Sequence, residues 1–269
     1  MLVDSHCHLA LPDYDADRAA VLARARAAGV RAMIDVGIGP GSWERTLALA
    51  GREPDVWAAL GLHPNDVAEF GLDALDHLPP LLAWPRVVAV GETGLDYHWQ
   101  RTPPPLQRQA FVAQLALARA RDLPVVIHCR DAYDDLLALI AAEGGGTRGV
   151  LHCFGGTAAQ ARRAFDLGYA ISLGGPVTFK NAAGARAVAA LAPADRLLLE
   201  TDAPYLTPHP YRGRRNEPAH VVLVAAAVAA ARGTTVAAVI EQTGRAAAAL
   251  FRLPLTDAVA AGAPAAGPQ

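Results

Sequence analysis

Eight short apolar runs, each followed by a loop and then a helical pattern, set the strongest limit on what this chain can fold into. They read MLVDSH at the start, RAMIDVG at 31–37, VWAALGLH at 56–63 and RVVAVGE at 86–92. The other four are LPVVIH at 123–128, GVLHCF at 149–154, YAISLGG at 169–175 and RLLLETD at 196–202. Each is rich in Val, Ile, Leu or Ala and does not alternate with polar residues. Strands buried on both faces of a parallel sheet read this way. Parallel neighbours need crossover connections, and helix candidates lie between the runs. DYDADRAAVLARARAAG has acidic residues early, arginines late and a closing glycine, which suits the helix dipole and a C-cap. PPLQRQAFVAQLALARARD opens with prolines, tolerated in a first turn. DAYDDLLALIAAEGGG is expected to be N-capped by Asp131 and stopped by glycines. Strand–helix alternation repeated eight times predicts an α/β fold of the closed (β/α)8 TIM-barrel type, with an open doubly wound sheet as the alternative.

One barrel accounts for residues 1–253 as a single catalytic domain, without linkers or internal repeats. The Ala/Pro/Gly-rich residues 254–269 are expected to form a disordered tail. Charge narrows the function classes. With 24 basic and 26 acidic residues the net charge is −2, so no global basic field favours nonspecific nucleic-acid binding. A polyanionic substrate would have to be held by a local patch or by metal. Three cysteines, Cys7, Cys129 and Cys153, do not make a disulfide framework. The chain shows neither a signal-peptide pattern nor a membrane-spanning apolar run, so a cytoplasmic location is expected.

The polar residues fall at one end of this pattern. His6 and His8 end the first run, His63 the third, Glu92 the fourth, His128 the fifth, His152 the sixth and Asp202 the eighth. In a parallel barrel these carboxyl ends share one face, where barrel enzymes build their sites. Taken singly, each has an ordinary reading: a capping or surface histidine, a helix N-cap carboxylate, a hydrogen-bonded core histidine. Their coincidence at one mouth favours a metal centre, because stacking so many buried polar groups without a counter-ion is costly. Nitrogen and oxygen donors suit Zn²⁺, Mn²⁺, Fe or Co, or Mg²⁺ with added water. Four imidazoles and two carboxylates exceed one tetrahedral ion, which makes a pair of divalent cations plausible, with Glu92 as the bridge. Strand alternation puts Cys7 on the side opposite His6 and His8. Cys129 and Cys153 likewise follow His128 and His152, so all three thiols are expected to point away from the metals.

The ordered motifs DSHCHL, GLHP, GETGLDY, PVVIHCR, LHCFGG, SLGGPVTFKNA, ETDAPYL and RRNEP resemble those of the TatD family of metal-dependent deoxyribonucleases, within the amidohydrolase-like barrel superfamily. The resemblance spans about residues 1–253. It implies a (β/α)8 barrel with two divalent metals, Mg²⁺, Mn²⁺ or Zn²⁺, that hydrolyses DNA, often as a 3′→5′ exonuclease. It implies further that His6, His8 and Asp202 hold the first metal, His128 and His152 the second, and Glu92 both. By the same resemblance Asp202 also holds the nucleophilic water, and His63 contacts substrate. One departure is Ala246, where the family often has Asn, which bears on local packing rather than chemistry.

Metal lowers the pKa of bound water to about 7, and a nearby carboxylate, here Asp202 with Glu92 beside it, can orient that water and take its proton. Arg130, Lys180 and the arginines of YRGRRNEP (Arg212, Arg214, Arg215) lie in loops at the same end, where they can contact phosphates or simply be solvated. Asn216 and Glu217 read as caps of the helix that follows. Tyr97, His98 and Trp99 follow the fourth run and can either stack on a base or pack the loop, while Asp96 is a candidate to orient a ligand histidine. The expected partner is a DNA strand, single-stranded or at a 3′ end, with no membrane and no obligate protein partner. A competing reading is a hydrolase of a small cyclic amide, lactone or phosphoester on the same barrel. Such sites often carry a carboxylated lysine after the fourth strand, where this chain has Glu92. A non-catalytic metal-binding protein is the third reading, disfavoured by the complete ligand set.

Overall fold

The computed structural model describes residues 1–254. The expectation of a disordered tail therefore lies outside the described residues, apart from Pro254. Eight strands form one parallel sheet in sequential order: β1 (Leu2–Cys7), β2 (Val30–Gly37), β3 (Val56–Leu60), β4 (Val87–Asp96), β5 (Val125–Arg130), β6 (Gly149–Leu151), β7 (Ala170–Leu173) and β8 (Leu197–Leu199). Helices separate them: α1 (Arg18–Ala27), α2 (Pro40–Arg52), the short α3 (Val67–Phe70) and α4 (Leu78–Leu81), α5 (Pro104–Arg121), α6 (Tyr133–Glu143), α7 (Ala158–Asp166) and α8 (Ala183–Leu191). After β8 come α9 (Val221–Arg232) and α10 (Val236–Phe251). The first and last strands meet at the mouth through the segment after β8. Asp202 N–H donates to His6 O (2.9 Å), His8 N–H donates to Ala203 O (2.7 Å), and Cys7 pairs with Ala203. The buried Asp4 carboxylate reinforces the seam by accepting from Thr201 N–H (2.9 Å) and the Thr201 hydroxyl (2.6 Å).

The absence of polar alternation in the runs has a structural cause: side chains alternate between two apolar environments. Inward residues Val3, Ala32, Ile34, Ala59, Val88, Val126, Val150, Ala170 and Leu198 fill the barrel. Outward residues such as Met33, Leu60, Val90, Ile127, Leu151 and Ile171 meet the helices. Ala246, Ala247 and Phe251 of α10 join the inner cluster, and α10 packs on β1 and β8. The small Ala246 is thus accommodated as a buried packing residue. No single helix among the described residues is long and apolar enough to cross a membrane.

Two local expectations are corrected. Asp131 does not cap α6: it takes a left-handed conformation (φ 55°), and Ala132 occupies the cap position. The acidic stretch before α1 is not its first turn, since Pro12–Tyr14 forms a separate 3-10 turn and α1 begins only at Arg18. Strand limits differ too. β3 stops three residues before His63, whereas β4 runs through Glu92 to Asp96.

Candidate metal centre

The six residues singled out as ligands lie together at the mouth. His6 and Glu92 sit where strand register breaks: β1 shifts against β2 between Asp4 and Cys7, and β4 shifts against β5 between Val90 and Thr93. Such bulges re-aim a side chain. Beyond Glu92, Gly94 pairs with His128, and a Cβ there would lie 2.0 Å from His128 O. Gly91 is equally confined, since its Cβ would lie 2.5 Å from Val126 O. Glycine at both positions lets β4 press on β5 on either side of Glu92.

Glu92 is the hub. Its Oε1 lies 2.8 Å from His152 Nε2, 2.9 Å from His128 Nδ1 and 3.5 Å from His63 Nε2. Its Oε2 lies 3.4 Å from His6 Nε2 and 3.8 Å from His8 Nε2. Asp202 Oδ1 closes the opposite side, 3.7 Å from His6 Nε2 and 3.6 Å from His8 Nε2. The rings of His6 and His152 stack with centroids 3.8 Å apart. Three sets of donor atoms each gather within 4.8 Å: His6, His8 and Glu92; His6, His152 and Asp202; His63, Glu92 and His128.

Hydrogen bonding fixes how several rings face this centre. His8 Nδ1 lies 2.9 Å from Val36 O, and a carbonyl only accepts, so Nδ1 carries a proton and Nε2 is the nitrogen turned inward. His63 is oriented the opposite way. Its Nδ1 accepts from Asn65 N–H (3.1 Å), which leaves the proton of the neutral ring on Nε2, facing Glu92. Burial holds His63 down to about 3, so this neutral donor form persists at ordinary pH. His128 Nε2 rests on Asp96 Oδ2 (3.0 Å), itself held by Asn65 Nδ2 (3.0 Å). Asp96, which the structure places at the end of β4 rather than in the following loop, therefore orients a histidine.

Electrostatics keep the carboxylates ionised. Burial raises the Glu92 carboxyl, but the charge of His152 and hydrogen bonds from His128 and His152 outweigh it, leaving the group well below its usual range. Asp202 is likewise raised by burial but held lower overall, chiefly by its contact with His8. Burial lowers His8, while Asp202 and Glu92 more than offset it, to about 9. The donor set fits metal ions. Nε2 of His6 and Nε2 of His8 face each other at 3.2 Å, and His6 Nδ1 and His152 Nδ1 are buried with no hydrogen-bond partner. Lone pairs and carboxylates crowded out of water in this way are stabilised by a shared cation.

Glu200 escaped the sequence reading. It is wholly buried, its Oε2 accepts from the Ser172 hydroxyl, and its Oε1 lies 3.4 Å from His152 Nδ1. The available signal was a carboxylate two residues before Asp202 in a buried, leucine-rich run. No cysteine belongs to any donor set among the described residues. Cys7 and Cys129 join the outer core, and Cys153 lines an apolar cavity.

The loop cations divide. Arg130 is exposed and lies 5.5 Å from the Trp99 ring, and Lys180 is exposed beyond β7. Arg215 is engaged elsewhere: it donates to Asp13 O (2.5 Å) and Asp17 Oδ2 (2.7 Å) and covers Tyr14. Its guanidinium thus braces the loop after β8 against the segment leading into α1. Of the aromatic group, Tyr97 packs its hydroxyl on Asp135 (2.9 Å), while Trp99 remains 57% exposed. Tyr205, 55% exposed and 6.0 Å from the His8 ring, is a further mouth aromatic. Neither residue caps the following turn through its side chain: Glu217 occupies the cap position but its carboxylate pairs with Arg24, and Asn216 Oδ1 accepts from the adjacent Glu217 N–H (2.9 Å) and faces His220.

The chain is similar to known proteins over nearly its whole length. The TatD-related DNase family model matches residues 3–252. A Bacillus subtilis (strain 168) protein named uncharacterized metal-dependent hydrolase YabD is 41% identical over 254 residues, spanning 94% of this chain and 100% of that protein. A Cronobacter turicensis protein named 3′-5′ ssDNA/RNA exonuclease TatD is 41% identical over 224 residues, spanning 81% of this chain and 85% of that one. The crystal structure of YJJV, a TatD homologue from Escherichia coli K12, matches with a TM-score of 0.89 at 34% identity, covering 94% of this chain and 98% of that one. A match across nearly the whole barrel, at these identities, places the chain in the TatD family of metal-dependent hydrolases.

Proposed function

We propose that this protein is a phosphodiesterase that cuts single-stranded DNA from the 3′ end and uses two divalent cations. The observation that carries the reading is the convergence of four imidazoles on Glu92, two of them also facing Asp202, within a mouth that also presents Trp99, Tyr205 and Arg130. The exonuclease name of a 41% identical relative supports the substrate class.

In this reading His6, His8 and Asp202 would hold one cation, His128 and His152 would hold the other, and Glu92 would serve both. When bound, the cations acidify water toward neutral pH and offset phosphate charge. The chain's own groups do the rest. Asp202, ionised and at the rim of the cluster, accepts the proton of the attacking water. His63, neutral with its proton on Nε2, donates a hydrogen bond to a phosphoryl oxygen. Asp96 holds the ring of His128 in place, and the Glu200 carboxylate lies beside that of His152. Arg130 and Lys180 guide the polyanion, and Trp99 stacks on a base. Free thiols in a chain of this kind suit the cytoplasm.

An end-labelled oligonucleotide tests this directly. With Mg²⁺ or Mn²⁺ the wild type should release nucleotides stepwise from the 3′ end, and chelator should stop it. Asp202→Asn should lower kcat by about 10²–10⁴-fold, the range for losing a positioned proton acceptor. Undiminished cleavage by Asp202→Asn would remove the proposed base. Intact DNA alongside a hydrolysed lactone or cyclic amide would transfer the protein to the small-substrate class.

A further inference from the structure

Two cavities beside the metal centre share one wall, the ring of Phe179. The larger, about 520 Å³, is bounded by Pro204 and Leu206, just past Asp202, and by Arg212 and Arg214. The smaller, about 260 Å³, is apolar, walled by Phe154, Leu173 and Val177, with the Asn181 amide at its edge. Cys153, the residue after His152, is part of its lining.

Three arginines line the larger cavity, and Arg212 and Arg214 stand apart from the third, Arg215. Arg212 lies 4.1 Å from the centre of the Phe179 ring, and Arg214 lies 5.9 Å from that of Tyr211. Among the described residues, salt bridges engage Arg215 but neither of these two. Planar cations stacked on aromatic faces, with their hydrogen-bond donors unspent, suit a phosphate. An apolar slot edged by a single amide suits a flat ring with polar edges.

We infer that the two cavities form one nucleotide subsite, with the base against Phe179 in the apolar cleft and its phosphate on Arg212 and Arg214. This inference rests on the phosphodiesterase reading and deepens it. A base can enter the cleft only when it is unpaired and unstacked, so the subsite selects single strands over duplex.

The test needs no variant at first. A set of single-stranded oligonucleotides, each lacking one base at a successive position from the 3′ end, is assayed for KM. Removing the base that enters the cleft should raise KM about tenfold at one position, the order of one aromatic stacking contact. In Phe179→Ala, or in the milder Phe179→Leu, that penalty should shrink to the level of neighbouring positions. Arg212→Gln should raise KM for every oligonucleotide and flatten its salt dependence. A flat profile in an active wild type, or an unchanged profile in both Phe179 variants, overturns the subsite alone. A wild type that cleaves no oligonucleotide overturns the phosphodiesterase reading and the subsite with it.

Discussion

Replacing Gly94 with alanine should separate two strands at the point where the centre is assembled. The added Cβ would lie 2.0 Å from His128 O, where ordinary contact starts at 3.4 Å, so β4 and β5 must part locally by about 1.4 Å. Neither atom is the end of a flexible side chain, and the φ of 141° allows no easy adjustment. The Glu92–His128 contact of 2.9 Å and the Asp96–His128 contact of 3.0 Å both span this gap. A misplacement of about 1 Å costs roughly 10²-fold in rate, or ~2.7 kcal/mol of transition-state stabilisation. Overpacking removes about 1–3 kcal/mol of stability as well. Gly168→Ala is the control, because that glycine also has positive φ (84°) but nothing within 4 Å of its Cβ. It should lose about 1 kcal/mol of stability and keep wild-type turnover. The measurements are kcat/KM on an oligonucleotide, calorimetric metal affinity and a urea midpoint for each variant. If Gly94→Ala matches Gly168→Ala in metal affinity and turnover, close strand approach does not set the centre and the reasoning fails.

Metal removal and pH give two further tests. Chelation should lower Tm by about 5–10 °C, because a ligand at a hundred times its Kd contributes ~2.7 kcal/mol and a chain of this size shifts about 2–4 °C per kcal/mol; an unchanged Tm would mean that the clustered donors hold no ion in the folded state. The Asp66 carboxyl, partly buried before α3, is pushed up to about 6 by burial, with Glu69 and Glu92 adding to it. The folded state then binds more protons than the unfolded state between about pH 4 and 6, so this group makes stability fall as pH rises through that window. Asp66→Asn should remove this slope and gain about 1–2 kcal/mol at pH 7, after discounting for partial exposure. Urea midpoints at pH 5 and pH 7 check it, and equal slopes in the two proteins would refute it.

The barrel is readable because its strands are buried on both faces, and the histidines and carboxylates of the centre fall at the ends of the runs. His6, Glu92 and Asp202 stood out against apolar neighbours, as buried charges do. Arg215 shows where such reading stops. In YRGRRNEP nothing distinguishes Arg215 from Arg212, yet only the fold brings Asp17, 198 positions away, against one of them. Glu200 was hidden for the opposite reason: its partner Ser172 is an unremarkable hydroxyl in another strand, and pairing across strands leaves no local pattern. Asp131 had the right residue type for a cap, but its left-handed backbone moved the helix start by one residue.

The centre depends on departures from regular strand geometry, and periodicity does not report those. A regular strand sends successive side chains to opposite faces, about 3.3 Å apart along its length, so donors from five strands would line the barrel at separate heights. Here His8 and His152 lie one residue beyond their strands, Asp202 lies three beyond, and His6 and Glu92 occupy register shifts. Those irregularities gather the donor atoms into sets within 4.8 Å of one another. They also explain the cysteines. Alternation accounts for Cys7 and Cys129, which lie within β1 and β5, but not for Cys153, which lies two residues past β6 with φ 43°. Cys153 is kept from the ligand sets by the turn that follows His152, and that same turn makes it a wall of the cleft bounded by Phe179.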